Sequence, residues 1–371
     1  MAKKRKRKSR KGQKILFAVE LLVLLVLIVG VFAYAQINKK LDAAQGSGED
    51  TSDVSINDKV VQDETLQGYQ NILLAGVDVD EINSDTLIIA SINNDTKEVK
   101  LVSVYRDTYL CTNSQTGEFN KANNAYAVGG VKQMLSMINN NLDMNITDYV
   151  RVNFDAVAEV VDQMGGIEIT MTADEAVHTN SYSVEVSETT GREYEKLPKE
   201  DGTYKLNGVQ AVSYARVRYT AGNDFKRAAR QRLVIEKIVD KAKSSSIPTL
   251  TKVMDVVFPL IETNLSKSQI IKMASGMLSY SIGGTSGFPT AHYEIDVNNK
   301  DVVLPVTLEY NVQELHKYLF GDENYVVSDT VKKFSDEIAN DSGYGSDYIE
   351  KAKDAAAAAN PPETDSEADN A

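Results

Sequence analysis

The sequence predicts a single α/β domain held outside a cell membrane by one N-terminal span, and three observations lead there. Residues 3–11 are nearly all Lys or Arg and run straight into an apolar stretch from Ile15 to Ala35. Beyond a polar interval, short runs rich in branched residues alternate with segments of helical period, the pattern of strands interleaved with helices in one α/β unit. The one cysteine, Cys111, allows no intramolecular disulfide, so the external part must rest on an apolar core, which a segment of this length can supply.

Taken in order, residues 1–14 read as a basic cytoplasmic tail and 15–37 as a transmembrane helix. About 20 apolar residues at 1.5 Å each match a bilayer core of about 30 Å. The stretch exceeds the ~7–15 residues of a cleaved signal, and the flanking positive charge keeps the N-terminus inside. Glu20 lies near the cytoplasmic interface, and the basic run suits the anionic inner leaflet. Residues 38–67, rich in Asp, Ser and Gly, read as a flexible stalk.

The domain is placed at 68–322. Tyr69–Val77, Thr86–Ile92 and Val99–Val104 read as strands. Val131–Leu142 reads as a helix after Gly129 and Gly130, and Tyr149–Phe154 as a strand. Asp155–Met164 has helical spacing with Asp155 as N-cap, Gly165 and Gly166 end it, and Ile167–Met171 follows as a strand. Residues 172–203, polar and weakly periodic, read as a long external loop. Helices are expected at Asn207–Tyr214, Asp224–Lys243, Leu250–Ile261 and Ser266–Ser279, with a last strand at His292–Val297. Further helices fall near Asn311–Leu319 and Thr330–Asn340, and residues 323–371 form a helical, then disordered, acidic tail.

Charge narrows the function. The chain carries −13, and setting aside the nine Lys and Arg of residues 1–14 leaves about −22 for the rest. An external nucleic-acid partner is therefore excluded. With three histidines and no CxxC, zinc is unfavoured, and with no Ser or Cys paired to a histidine base evident in the sequence, covalent catalysis is not favoured. Against this acidic background Arg106, Arg216, Arg218, Arg227 and Arg230 are concentrated near strand ends and helix starts, with Asp85, Asp107 and Asp224 among them. Any one of these could be a surface ion pair worth ~0–1 kcal/mol; Asp224 alone could cap a helix, and Asp107 could merely orient Arg106. Together they suit a diphosphate: guanidinium forks bind phosphate oxygens in bidentate fashion, and carboxylates hold a divalent cation bridging them.

The motifs also carry a resemblance. From Gly68 to about Lys241 the chain resembles the LytR-CpsA-Psr domain of Gram-positive cell envelopes, through GVD at 76–78, SDT at 84–86, RDT at 106–108 and KANNAYAVGG at 121–130. It continues through VNFDAVAEVVDQMGGIEI at 152–169, LNGVQAVSYARVR at 206–218 and DFKRAARQR at 224–232. The resemblance implies an α-β-α sandwich with a mixed central sheet and an apolar lipid tunnel. It implies a phosphotransferase that moves a glycopolymer from an undecaprenyl-diphosphate carrier to the muramic acid 6-hydroxyl of peptidoglycan, with polyprenyl phosphate leaving. By motif match, Asp85 and Asp224 would bind Mg²⁺ (or Mn²⁺). Arg106, Arg216 and Arg218, with Arg227 and Gln231 beside them, would hold the diphosphate; Lys121 and Arg230 would bind substrate, with Asp107 and Arg230 also candidates to orient or act as base.

Two positions depart from the family pattern: Asn83 stands where many relatives have arginine, and Lys226 replaces a glycine. A polyprenyl chain needs an apolar channel, and Val157, Val160, Val161, Leu233, Val234, Ile235 and Ile238 lie on helices beside the charged motifs. Lipid binding without transfer and hydrolysis of the same diphosphate are the competing expectations.

Overall fold

A computed structural model describes residues 48–77, 84–218, 223–266, 269–270, 272–273 and 279–359. The expected tail and membrane span, the first part of the stalk, Asp78, Asn83 and everything after 359 lie outside the described residues, as does most of the helix expected at Ser266–Ser279. Among the described residues no helix is long and apolar enough to cross a membrane.

Strands β1 (Tyr69–Val77), β2 (Ser84–Asn93) and β3 (Glu98–Val104) form an antiparallel meander. Their apolar runs are nearly continuous because both faces of the sheet are covered, so inward and outward side chains are both buried. A small hairpin, β4 (Tyr109–Asn113) and β5 (Glu118–Lys121), leads into α1 (Asn124–Leu142), which breaks at Gly129 and Gly130. Then come β6 (Asp148–Val152) and α2 (Phe154–Gln163). Asn153, not Asp155, caps α2, accepting the Ala156 N–H at 2.9 Å; Asp155 instead pairs with Arg192.

Next are β7 (Ile167–Met171), α3 (Ala173–Thr190), β8 (Gly202–Leu206), α4 (Gly208–Arg216), α5 (Asn223–Ser244) and α6 (Ile247–Val257). The last part comprises β9 (Ile261–Thr263), β10 (Ser281–Phe288), β11 (His292–Val297), β12 (Lys300–Pro305), α7 (Leu308–Phe320), α8 (Asp329–Ser342) and α9 (Ile349–Ala359).

The central sheet runs β10-β3-β2-β1-β6-β9 and is mixed: β6 is parallel to β1 and β10 parallel to β3, while the other neighbours are antiparallel. One face, with Leu73, Ala75, Leu87, Ile89 and Val104, packs on α1, α7 and α8 in the main core. The opposite face turns Ile88, Ala90 and Leu101 toward Ile235 of α5. The fold is thus an α/β domain with helices on both faces of a mixed sheet.

Four further expectations need correction. Residues 172–203 are not a loop, because they contain α3 and the start of β8. Helix α3 opens with a capping box between Thr172 and Glu175, and its buried stripe is Ala176, Thr179, Asn180, Ser183 and Val186. That spacing is helical but made of small and polar side chains, which hydrophobic periodicity does not register. Residues 48–67 are not free stalk: Thr51, Asn57, Val60 and Leu66 are buried, and Asn57 Nδ2 donates to Asp143 Oδ1 at 2.6 Å. Finally, the domain does not stop at 322, since Val331, Phe334, Ile338 and Ala352 belong to the main core; nor is β11 the last strand, being paired with β12.

Candidate active site

Three backbone segments bring the charged motifs together. Asp85 sits at the start of β2, Arg106 and Asp107 occupy the turn after β3, and Asp224 and Arg227 lie on the first turns of α5. The turn is pinned from several sides. Thr108 Oγ1 donates to the Tyr105 carbonyl at 2.7 Å, Asn123 N–H to the Arg106 carbonyl at 2.9 Å, and Val303 N–H to the Asp107 carbonyl at 2.9 Å.

Arg106 is the hub. Its Nη1 donates to Asp85 Oδ1 at 2.7 Å, and its Nε lies 3.5 Å from Asp224 Oδ2 and 3.6 Å from Asp107 Oδ1. Arg218 spans the same two carboxylates, at 3.3 Å to Asp224 and 3.8 Å to Asp85, and Arg227 approaches Asp224 at 3.4 Å. Lys121 reaches Asp107 at 3.6 Å. Burial works against the Arg106 charge, yet Asp107, Asp224 and Asp85 outweigh it and hold the guanidinium above its ordinary range. Arg227 is the opposite case: burial pushes it down to about 10, only partly offset by Asp224. The Nε groups of Arg106 and Arg227 are buried without a hydrogen-bond partner, though that of Arg106 lies within ion-pair distance of Asp107 and Asp224.

Of these groups Asp85, Arg218 and Arg227 face a polar pocket of about 130 Å³, lined also by Thr86, Phe154, Tyr182, Arg216 and Gln231; Arg106, Asp107 and Asp224 line a smaller pocket that shares Asp85, Thr86, Arg227 and Gln231 with it. Next to the polar pocket lies an apolar cavity of about 230 Å³. Strand register builds its floor: Leu74 pairs with both Ile88 and Val150, and Gly76 with Thr86 and Val152, so two rows on one sheet face line it. Val157 of α2, Val212 of α4, and Val234, Ile235 and Ile238 of α5 complete the walls. Of the apolar residues singled out in the sequence, Val160, Val161 and Leu233 pack into neighbouring clusters instead. Thr86, Phe154, Arg216 and Gln231 line both spaces.

The structure brings Asp85, Arg106, Asp107, Lys121, Arg218, Asp224 and Arg227 into one network, with Gln231 lining the pockets beside it. Arg216 reaches the polar pocket but outside that ion-pair network, with Nη2 on Glu185 Oε1 at 2.8 Å. Arg230 is buried behind the site, where Nε donates to Glu175 Oε1 at 2.9 Å and Nη1 to the Val217 carbonyl at 3.0 Å, contacts that suit the orienting role among its expected ones. It braces the segment carrying Arg218. Sequence reasoning missed Thr86, Phe154, Tyr182 and Glu185. Thr86 was within reach, as the third residue of the Ser-Asp-Thr motif; the α3 pair carried no signal.

The donor set bears on a divalent cation. Asp85 and Asp224 face the same two guanidiniums, so two hard oxygen donors converge, and no group of three or more His, Cys, Asp or Glu is poised for a metal among the described residues. By donor type, two carboxylates would suit a hard divalent cation such as Mg²⁺.

A model of the LytR_cpsA_psr family matches residues 30–312, and the chain belongs to this LytR-CpsA-Psr family. Among curated relatives, the biofilm regulatory protein A of Streptococcus mutans is 31% identical over 71% of this chain and 66% of its own length. The polyisoprenyl-teichoic acid–peptidoglycan teichoic acid transferase TagU of Bacillus licheniformis is 32% identical over 73% of this chain and 85% of its own. The Bacillus subtilis family protein YwtF (TagT), solved with octaprenyl pyrophosphate lipid bound, aligns with a TM-score of 0.52 at 22% identity. That alignment covers 75% of this chain and 98% of YwtF, and establishes the shared fold.

Proposed function

We propose that this protein is a phosphotransferase that moves a glycopolymer from an undecaprenyl-diphosphate carrier onto peptidoglycan through a phosphodiester. One observation carries the reading: a pocket lined by arginines and an aspartate shares four wall residues with an apolar cavity. A prenyl diphosphate has the matching shape, an anionic head on an apolar chain. The relative named as a teichoic acid transferase and the YwtF structure with a polyprenyl lipid bound support the substrate class. A basic N-terminal tail and an apolar stretch long enough to span a bilayer support a single-pass protein of the cell membrane, tail inside and domain outside.

In this reading Arg106, Arg218 and Arg227 take the diphosphate oxygens, and their fixed charge stabilises the negative charge that builds as the phosphorus–oxygen bond breaks. The muramyl 6-hydroxyl attacks the sugar-linked phosphorus, the bridging bond breaks toward the lipid side, and polyprenyl phosphate leaves. Asp107, held beside Arg106 and Lys121, orients the former or takes the hydroxyl proton. Asp85 and Asp224 would hold Mg²⁺ or Mn²⁺, which when bound neutralises phosphate charge.

The test incubates the full-length protein in lipid nanodiscs with a polyprenyl-diphosphate glycan, peptidoglycan oligomers and Mg²⁺. The linked product should form, and Asp85→Ala and Arg106→Ala should each lower its rate by roughly 10²-fold or more. Donor binding without turnover, or release of free glycan phosphate alone, would contradict transfer.

A further inference from the structure

We propose that Glu185 and Tyr182 of α3 are positioning residues for the donor, acting through Arg216; this rests on the lipid-diphosphate reading above. Arg106, Arg218 and Arg227 share the carboxylates of Asp85, Asp107 and Asp224. Arg216 stands apart from that network, and its counter-ion comes from an element that the family motifs do not include: Glu185 Oε1, 2.8 Å from Nη2. The Arg216 guanidinium also lies 4.7 Å from the Phe154 ring centre and 5.5 Å from that of Tyr182. Two aromatic rings and one carboxylate thus fix a long side chain that would otherwise sample many rotamers.

The location gives this arrangement its consequence. Arg216 lines both the polar pocket and the apolar cavity, so it stands where the prenyl chain joins its first phosphate. A guanidinium already held there loses little conformational freedom when phosphate arrives. Helix α3 is itself tied to the catalytic elements by a second pair, since Glu175 accepts from Arg230 of α5, which also holds the Val217 carbonyl beside Arg218. Two arginine–glutamate pairs therefore fasten α3 across the segment carrying Arg216 and Arg218.

The test measures octaprenyl diphosphate binding and donor KM and kcat on the full-length protein in nanodiscs. Glu185→Gln and Tyr182→Ala should each weaken binding and raise KM roughly fivefold with kcat within about twofold, and Tyr182→Phe, which keeps the ring, should weaken binding less than Tyr182→Ala. On an Arg216→Ala background neither substitution should weaken binding further. A Glu185→Gln protein that binds as wild type does, or the same loss on the Arg216→Ala background, overturns the proposal and leaves the transferase reading intact. A wild-type protein that binds no octaprenyl diphosphate overturns both.

Discussion

Arg227 is the least solvated cation among the paired groups of the site, with its side chain 6% exposed, and it holds its charge at the greatest desolvation cost. Its pKa of about 10 still leaves it protonated at neutral pH. A buried planar fork with an unsatisfied Nε is suited to two phosphate oxygens, which an ammonium cannot match. Arg227→Lys should therefore lower donor kcat/KM by roughly 10- to 100-fold although charge is retained; an unchanged value in steady-state assays would show that charge alone matters there. The sequence made this residue legible because arginine is sparse in an acidic chain and the motif places it one turn after Asp224. For Arg230, in the same motif, the sequence left binding and orienting roles open, since only three dimensions reveal that it turns toward Glu175 and Val217. Glu185 was illegible for a related reason: one glutamate in a polar segment has no local pattern marking it.

At the scale of elements, the apolar cavity depends on how closely α2 and α4 pack. Gly208, the first residue of α4, lies so near α2 that a Cβ would sit 2.2 Å from the Ala158 carbonyl oxygen, and its N–H donates to Asp162 at 2.7 Å. Gly208→Ala should push the helices apart and cost about 3 kcal/mol in denaturant unfolding. Gly165→Ala, which meets open space at φ +76°, should cost only roughly 1 kcal/mol from its left-handed backbone. Equal losses would mean that the close approach is not what Gly208 serves. The strands β1 to β3 and helices α2, α4 and α5 were readable because continuous branched runs and 3.6-residue periods are strong signals. Helix α3 was not, as its buried stripe is Ala, Thr, Asn, Ser and Val. The hairpin of β4 and β5 also escaped, its strands being only five and four residues long.

Across the whole molecule, the core extends further at both ends than composition suggested. The segment from 48 contributes its few apolar and amide side chains to a domain that continues through α9, and short polar stretches give little warning of such docking. Packing of the whole also sets an acid limit. His292 is buried beside Tyr105 and Phe225, with Nδ1 on the Pro289 carbonyl at 2.9 Å, and burial pushes its pKa down from 6.5 to about 4. The unfolded chain thus takes up a proton at higher pH than the fold does. The stabilisation is complete above about 6.5 and is lost as pH falls toward 4, amounting to up to about 3 kcal/mol. Unfolding free energies measured across that range should fall less steeply for His292→Phe than for wild type; identical slopes would remove His292 as a cause. The central claim is that one amphiphilic diphosphate fills the polar pocket and the apolar cavity together. A crystal structure with octaprenyl diphosphate is the decisive measurement: phosphate oxygens should lie within hydrogen-bond reach of Arg106, Arg218 and Arg227, and prenyl carbons against Leu74, Val157 and Ile235. Phosphates bound elsewhere, or a prenyl chain lying outside the cavity, would contradict it.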